Sequence, residues 1–363
     1  MTDSAANTVP TTPGPADIKI TGTAQHSAWM QRLLPPVEQL APDLWSIPVP
    51  IPHNPLRYVS VYAFAGPAGL TLMDAGWDSD EGWDALQAGL DGIGAAVSQV
   101  RGVLVTHLHF DHIGLGRRVR ETSGAWIALH PADADVLRRA DFRDADLAVA
   151  SQARWLQSLG ASAEEAKAVV GTPEEYAKFT TMALPDRLLR GGELADVPGW
   201  TLRAIHTPGH TPGHLCFLDE RSDRLFSGDH VLPRISPNIS ADRASGADPL
   251  GDYLAALQDI RSLDVREVLP AHEWRFRGLR ARVDQLTAHH EARLAELLLA
   301  VRSHPGGVPW DLAGLLTWSR PWDQYDGYMR IFAVSETLAH LRQLATRGLL
   351  VASEGPVPAY TAV

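Results

Sequence analysis

Residues 103–114 read VLVTHLHFDHIG: an aliphatic, β-branched run followed by His107, His109, Asp111 and His112 within six positions. The apolar run has the character of a buried strand. His107 and His109 stand two apart just past its end, so an extended backbone turns both imidazoles to the same side, where they can share one ion. Asp111 and His112 follow as the loop turns and can reach a second ion alongside. Neutral imidazole and carboxylate suit Zn²⁺ and other borderline divalent ions. Each such ion needs about four ligands, so these residues cannot close two sites by themselves.

The sequence on either side supplies a frame. LWSIPVPI (44–51), YVSVYAFAG (58–66) and GLTLMDAGW (69–77) read as consecutive strands broken by Pro, Gly and Asn turns. DEGWDALQAGLDGIG has helical spacing through Trp83, Leu86 and Leu90, and VRGVLVTH returns to strand. Strand, helix, strand points to a layered α/β sheet with helices outside. From 131 to about 189 the pattern is almost wholly helical. Ser162 with Glu165 forms a capping box, and Thr172–Pro173–Glu174–Glu175 starts another helix with proline at its first position. This block separates two strand-rich halves and reads as an insertion or cap over the site. WTLRAIHTPGH, HLCFLDERSDRLFSGD and VREVLPAH resume the strands, ERSD being a hairpin turn, and Asp248–Pro249 opens a helix between them. After His272 the chain is mainly helical, with one long helix before Pro305. A second helix carries Val334, Leu338, Leu341 and Leu344 on one face and is stopped by Gly348 before a short apolar strand.

Five motifs place polar residues at the carboxyl end of an expected strand, the position where α/β sheets gather ligand sites. They are Asp74 in LMDAG, the 107–112 cluster, His210 in HTPGHTPGH, Asp229 in LFSGDHV and His272 in VLPAHEW. His210, Asp229 and His272 supply the donors the first cluster lacks, with Asp229 placed to bridge.

This combination resembles the metallo-β-lactamase-fold hydrolase superfamily over residues 40–275. The resemblance implies an α/β fold, a four-layer αββα sandwich with two divalent metal ions at one edge. It implies that His107, His109 and His210 hold the first ion and Asp111, His112 and His272 the second, with Asp229 bridging. Asp74 then orients the ligand loops by hydrogen bonds. β-Lactamases with a second zinc often carry cysteine where Asp229 stands, and the flavodiiron branch carries glutamate where His109 stands. HTPGHTPGH, SGDHVLP and LPAH look most like the glyoxalase II-like and lactamase-B2-like branch. The basic residues of the glutathione-binding region of glyoxalase II have no counterpart here. The expected organisation is a disordered tail at 1–16, a catalytic domain at 17–275 with the helical cap at 131–189, and a small helical, winged-helix-like C-terminal subdomain at 276–363.

Two adjacent cations activate a bridging water as hydroxide and polarise the bond it attacks. Asp111 beside it can shuttle a proton to the leaving group. The expected substrate is a small molecule with an ester-like bond, a thioester or lactone before an amide, β-lactam or phosphodiester. Zinc is the favoured ion, with iron or manganese also suited to the donor set. A nucleic-acid phosphodiesterase using the C-terminal subdomain is the competing reading. Composition weighs against it: 43 acidic and 32 basic residues leave a net charge of −11, without the positive footprint such binding requires. Segment 308–351 has Arg320, Arg330, Arg342 and Arg347 but no lysine and no basic cluster. That subdomain can equally serve as a homodimer surface.

The single cysteine, Cys216, excludes an intramolecular disulfide and reads as a core residue. No apolar run approaches the roughly 20 residues of a membrane span, and the N-terminus lacks a signal-peptide pattern, so a cytoplasmic location is expected. His214 is expected to hydrogen-bond behind the ligands, and His130 and His206 to be satisfied structural residues. His289 and His290 are expected on a solvated helix face. Arg275 and Arg277 are expected in salt bridges, Tyr253 is a candidate pocket residue, and Trp155, Leu156 and Met182 are expected to pack.

Overall fold

The computed structural model describes residues 18–139 and 143–363, so the expected tail at 1–16 lies outside the described residues. The chain enters through β1 (Lys19–Ile20) and α1 (Thr23–Gln31). A seven-stranded sheet follows, in spatial order β2 (Glu38–Ala41), β3 (Leu44–Pro50), β4 (Tyr58–Gly66), β5 (Gly69–Met73), β6 (Val100–Leu104), β7 (Trp126–Leu129) and β8 (Arg187–Leu188). Its first pairings are antiparallel, and from β5 onward they are parallel. The connections carry α2 (Asp80–Gly92), α3 (Phe110–Ile113), α4 (Gly116–Ser123), α5 (Pro131–Leu137), α6 (Ala145–Gln157), α7 (Ala163–Val169) and α8 (Pro173–Thr180).

The second half adds β9 (Leu202–His206), β10 (Leu215–Asp219), β11 (Arg224–Gly228), α9 (Pro249–Arg261), β12 (Glu267–Pro270) and β13 (Phe276–Arg277). With β1 they form a six-stranded sheet ordered β1-β13-β12-β11-β10-β9, in which only β11 and β12 run parallel. Then come α10 (Leu279–Ser303), α11 (Pro309–Ala313), α12 (Gly327–Thr346) and an antiparallel ribbon of β14 (Leu350–Ala352) and β15 (Tyr360–Ala362).

Period-two alternation assigns the layers. Tyr62 and Phe64 of β4, Met73, Phe217, Phe226 and Leu269 meet between the sheets. Val59, Val61, Leu72 and Val103 face the other way, against Leu86 and Leu90 of α2. Cys216, Leu225 and Val268 of the second sheet face α9, α10 and α12 through Leu257, Leu286 and Val334. The result is the four-layer αββα sandwich. Each fully buried aromatic at its centre contributes about 2–3 kcal/mol by burial alone.

The helical block forms as its signals indicate. Ser162 Oγ accepts from Glu165 N–H at 3.1 Å and Glu165 returns the bond to Ser162 N–H at 2.8 Å. Thr172 and Glu175 do the same at the start of α8. Asp248 caps α9 by accepting from Gly251 N–H at 3.0 Å.

Three expectations need correction, at His290, Tyr253 and Arg277. His290 is not solvated: it lies fully buried, its Nδ1 3.3 Å from His340 Nε2. The apolar stripe of α10 runs Leu286, His290, Leu294, so position 290 turns inward with its helical neighbours; His289, one step round, is exposed. Tyr253 is also fully buried, and its hydroxyl donates to the His230 carbonyl at 3.0 Å. It supports the floor behind the site and does not line a pocket. Arg275 is held by Glu267 and Glu38, whereas Arg277, exposed on β13, forms no salt bridge among the described residues; Cys216, Trp155, Leu156 and Met182 are core residues.

Candidate metal centre

Strand ends and the turns after them bring the expected residues together. Asp74 follows β5, His107 and His109 follow β6, His210 follows β9, Asp229 follows β11, and His272 follows β12. α3 begins at Phe110 with His109 just outside it, so one helical turn swings Asp111 and His112 back toward the two preceding histidines. The bulge at Gly228 needs glycine, since φ is +50° and a Cβ there would stand 2.7 Å from His214 Nε2. The turn delivers Asp229 into the space between the other donors.

The donors form three overlapping groups with ligand atoms within 4.8 Å of one another: His107, His109 and His210; His107, His112 and Asp229; Asp111, His112 and His272. The two oxygens of Asp229 divide between the sides. Oδ1 lies 3.5 Å from His112 Nε2 and 3.3 Å from His272 Nε2, whereas Oδ2 lies 3.6 Å from His210 Nε2. Asp111 Oδ2 is 3.3 Å from His272 Nε2.

Three of the five rings are held from behind. His112 Nδ1 sits 2.8 Å from Asp74 Oδ2, His210 Nδ1 2.7 Å from the Asn238 carbonyl, and His272 Nδ1 2.8 Å from the Tyr58 carbonyl. A carbonyl can only accept, so His210 and His272 each carry a proton on Nδ1, and Nε2 is the atom turned inward. His112 Nε2, His210 Nε2, His272 Nε2 and Asp229 Oδ1 are all buried without a hydrogen-bond partner. Buried polar atoms left unsatisfied are costly, and four converging on one space fit divalent cations.

Charge agrees with this. Asp74, Asp111 and Asp229 are buried or nearly so, and among the described residues no lysine or arginine pairs with them. Burial drives the His107 imidazole well below its usual range and His109 to about 3, so both stay neutral. Burial would also lower His272, but Asp229 and Asp111 hold it up at about 10; Asp74, Asp111 and Asp229 likewise raise His112. A cation would take the place of those protons.

Asp133 and Thr106 add supports that the sequence did not point to, and His214 takes the place expected of it. Asp133, at the start of α5, accepts from Leu108 N–H at 2.9 Å, Thr211 Oγ1–H at 2.9 Å and Gly213 N–H at 2.6 Å, tying the two histidine loops together. Burial pushes its carboxyl up to about 7 against the pull of those donors. Thr106 Oγ1 contacts Asp74 and His107 Nδ1. His214 Nδ1 bonds Thr207 Oγ1 at 2.8 Å, and its Nε2 accepts from Asp229 N–H at 3.1 Å. His130 and His206 stack on one another at 4.2 Å, away from this set. Beside the donors stands an aromatic wall: Phe110 packs on Trp77 and Phe179 at 4.8 and 5.0 Å, and Tyr176 continues it to Tyr328 at 6.0 Å.

Residues 54–272 match the metallo-β-lactamase superfamily. The chain belongs to that superfamily. As a metallo-β-lactamase superfamily member it is a metal-dependent hydrolase, and its fold implies divalent metal binding. It is 29% identical over 245 residues to a probable metallo-hydrolase, YqjP, of Bacillus subtilis, covering 63% of this chain and 71% of that one. A lactamase-like protein, nscB, of Trichophyton rubrum is 37% identical over 113 residues, about a third of either chain. Among solved structures, a metallo-β-lactamase family protein of Thermus thermophilus superposes with a TM-score of 0.76 at 28% identity, over 90% of this chain and 100% of that one. A β-lactamase domain protein of Burkholderia ambifaria gives 0.75 at 27%, over 90% and 94%. Both similarities extend past the superfamily match into the terminal helices. No helix among the described residues is long and apolar enough to cross a membrane.

Proposed function

We propose that this superfamily member holds two divalent ions, zinc before iron or manganese, and hydrolyses an ester-like bond in a small acyl substrate, a thioester or lactone first. His107, His109 and His210 would hold one ion and Asp111, His112 and His272 the other, with Asp229 offering an oxygen to each. The observation that carries this is the convergence of four orphaned buried donor atoms with Asp229 offering one oxygen to each side. When bound, the ions supply an activated water and polarise the scissile carbonyl. Asp111, its side chain 14% exposed and one oxygen turned to His272, takes the proton and passes it to the leaving group. Asp74 and the Asn238 and Tyr58 carbonyls keep the rings in the binding tautomer throughout. The wall of Trp77, Phe110, Phe179 and Tyr176 excludes water and favours an apolar acyl group.

The test is elemental analysis of the purified protein together with a panel of acyl-thioesters, lactones, β-lactams and phosphodiesters. About two ions per chain are expected, with hydrolysis lost in His107→Ala and Asp229→Ala. A protein without bound metal whose hydrolysis survives chelators would overturn the proposal. Cleavage confined to phosphodiesters would transfer it to the nucleic-acid reading. The homodimer belongs to the same proposal, and a constant monomeric mass at two concentrations in size-exclusion chromatography would remove it.

A further inference from the structure

Of the converging donor residues, His109, Asp111 and His210 are partly exposed, whereas His107, His112, Asp229 and His272 are buried. The centre therefore opens to solvent beside His109 and His210, whose rings stand 4.5 Å apart. Each of these two rings leads to a wall of its own. Phe110 directly follows His109 and starts the aromatic series, with Phe179 at 5.0 Å and Tyr176 a further 6.1 Å on. On the other side the Asn238 carbonyl holds His210, and Asn238 Nδ2 donates to Glu336 Oε2 at 3.0 Å and to the Phe332 carbonyl at 3.5 Å. The first turns of α12 are thereby set against the His210 loop.

α12 carries Tyr328, Phe332 and Glu336 at successive four-residue steps, which share one side of a helix. Glu336 at one end of this stripe touches the His210 loop, and Tyr328 at the other meets Tyr176 of α8 at 6.0 Å. Phe332 stands between those two contacts. Tyr328 and Phe332 are also the only exposed aromatic side chains among the described residues, at 38% and 46%. Their helix is firmly seated: Ile331 and Val334 share a core with Ala166 and Val169 of α7, and Trp310 donates to the Leu159 carbonyl at 3.0 Å. Exposed rings held in place beside a polar centre keep apolar surface in water that a ligand can cover. We propose that Phe110, Phe179 and Tyr176 on one side and Tyr328 and Phe332 on the other form a slot for the apolar acyl group of the substrate, with Phe332 and Tyr328 setting the acyl length it accepts. The inference rests on the hydrolase reading above and narrows it to acyl groups that run from the His109–His210 edge to the Tyr176–Tyr328 pair. An acetyl group ends before either exposed ring, whereas an octanoyl chain covers both.

The experiment has a binding arm and a kinetic arm, both on the metal-loaded protein. The S-octyl and S-methyl thioethers of N-acetylcysteamine differ in chain length and carry no hydrolysable bond at sulfur, so calorimetric titration of each reads the slot without turnover. The octyl compound is expected to bind the more tightly. Phe332→Ala is expected to cut that preference about fivefold, and Phe332→Ala with Tyr328→Ala about tenfold or more, as lost apolar cover would. Phe332→Leu, which keeps apolar area, is expected to retain most of it, and Leu299→Ala, exposed on α10, all of it. The preference in kcat/KM for an octanoyl over an acetyl thioester is expected to fall in the alanine variants by similar factors. Equal affinity for the two thioethers, or a preference unchanged in the double variant, overturns the slot. If the thioether preference is present and the variants reduce it while no thioester or lactone is cleaved, the slot stands and the hydrolase reading fails. Equal affinity together with a dimeric mass that Phe332→Ala makes monomeric overturns the slot and assigns these rings to a contact between copies of the chain.

Discussion

Asp74 sits at the end of β5 with φ at +60°, a left-handed conformation that aspartate and asparagine tolerate better than most side chains. From there it reaches Thr106 N–H and His112 Nδ1 together. Asp74→Asn keeps the backbone and removes the charge that sets the His112 tautomer. Metal affinity by chelator competition is expected to fall about 10–100-fold, with the ion on the His112 side leaving first. Asp74→Ala adds backbone strain and is expected to lower the unfolding temperature as well. Asp133 is the residue that sequence reading passed over: a short acid in HPADAD looks like an ordinary helix-start residue. Its three donors come from segments 25 to 80 residues away. Asp133→Ala orphans them and is expected to cost roughly 3 kcal/mol or more in denaturant unfolding, with weaker metal binding through both histidine loops.

Two elements reach the centre without contributing a donor. α12 acts through Glu336, whose Oε2 accepts from Asn238 Nδ2 at 3.0 Å while the Asn238 carbonyl holds His210. The C-terminal region thereby fixes the orientation of the His210 ring after β9. Glu336→Ala is expected to lower metal affinity about tenfold, whereas Glu336→Gln, which keeps an acceptor oxygen, stays close to the parent in the same titration. α8 stands against the centre differently. None of its residues is fully buried, yet Phe179 packs on Phe110 and Trp77. Phe179→Ala is expected to raise KM for long acyl chains more than for acetyl, with metal content unchanged, because it removes apolar wall and no donor.

For the molecule as a whole, the outer face of the second sheet shares one continuous hydrophobic cluster with α9, α10 and α12. Cutting the chain after Gly278 would expose Cys216, Leu225 and Val268 together with Leu257. Such a fragment is expected to be insoluble or to lack cooperative unfolding by circular dichroism, although every expected metal ligand is retained. The strands, the capped cap helices and the long terminal helix were legible in the sequence because each follows from local periodicity or a capping pair. So was the membership of the converging His/Asp cluster, since each member ends a strand-like run.

What local pattern could not carry is the pairing of groups distant in the chain. His290 and Tyr253 became buried through the facing of one helix on another, and Asp133, Asn238 and Glu336 gained their roles across turns between separate elements. The sequence by itself determined which side chains can bind an ion and which strands present them. Only the tertiary structure decided which atoms hold His112, His210 and His272 from behind, because hydrogen bonds and burial depend on what folds against a residue, and that neighbour is seldom near in sequence.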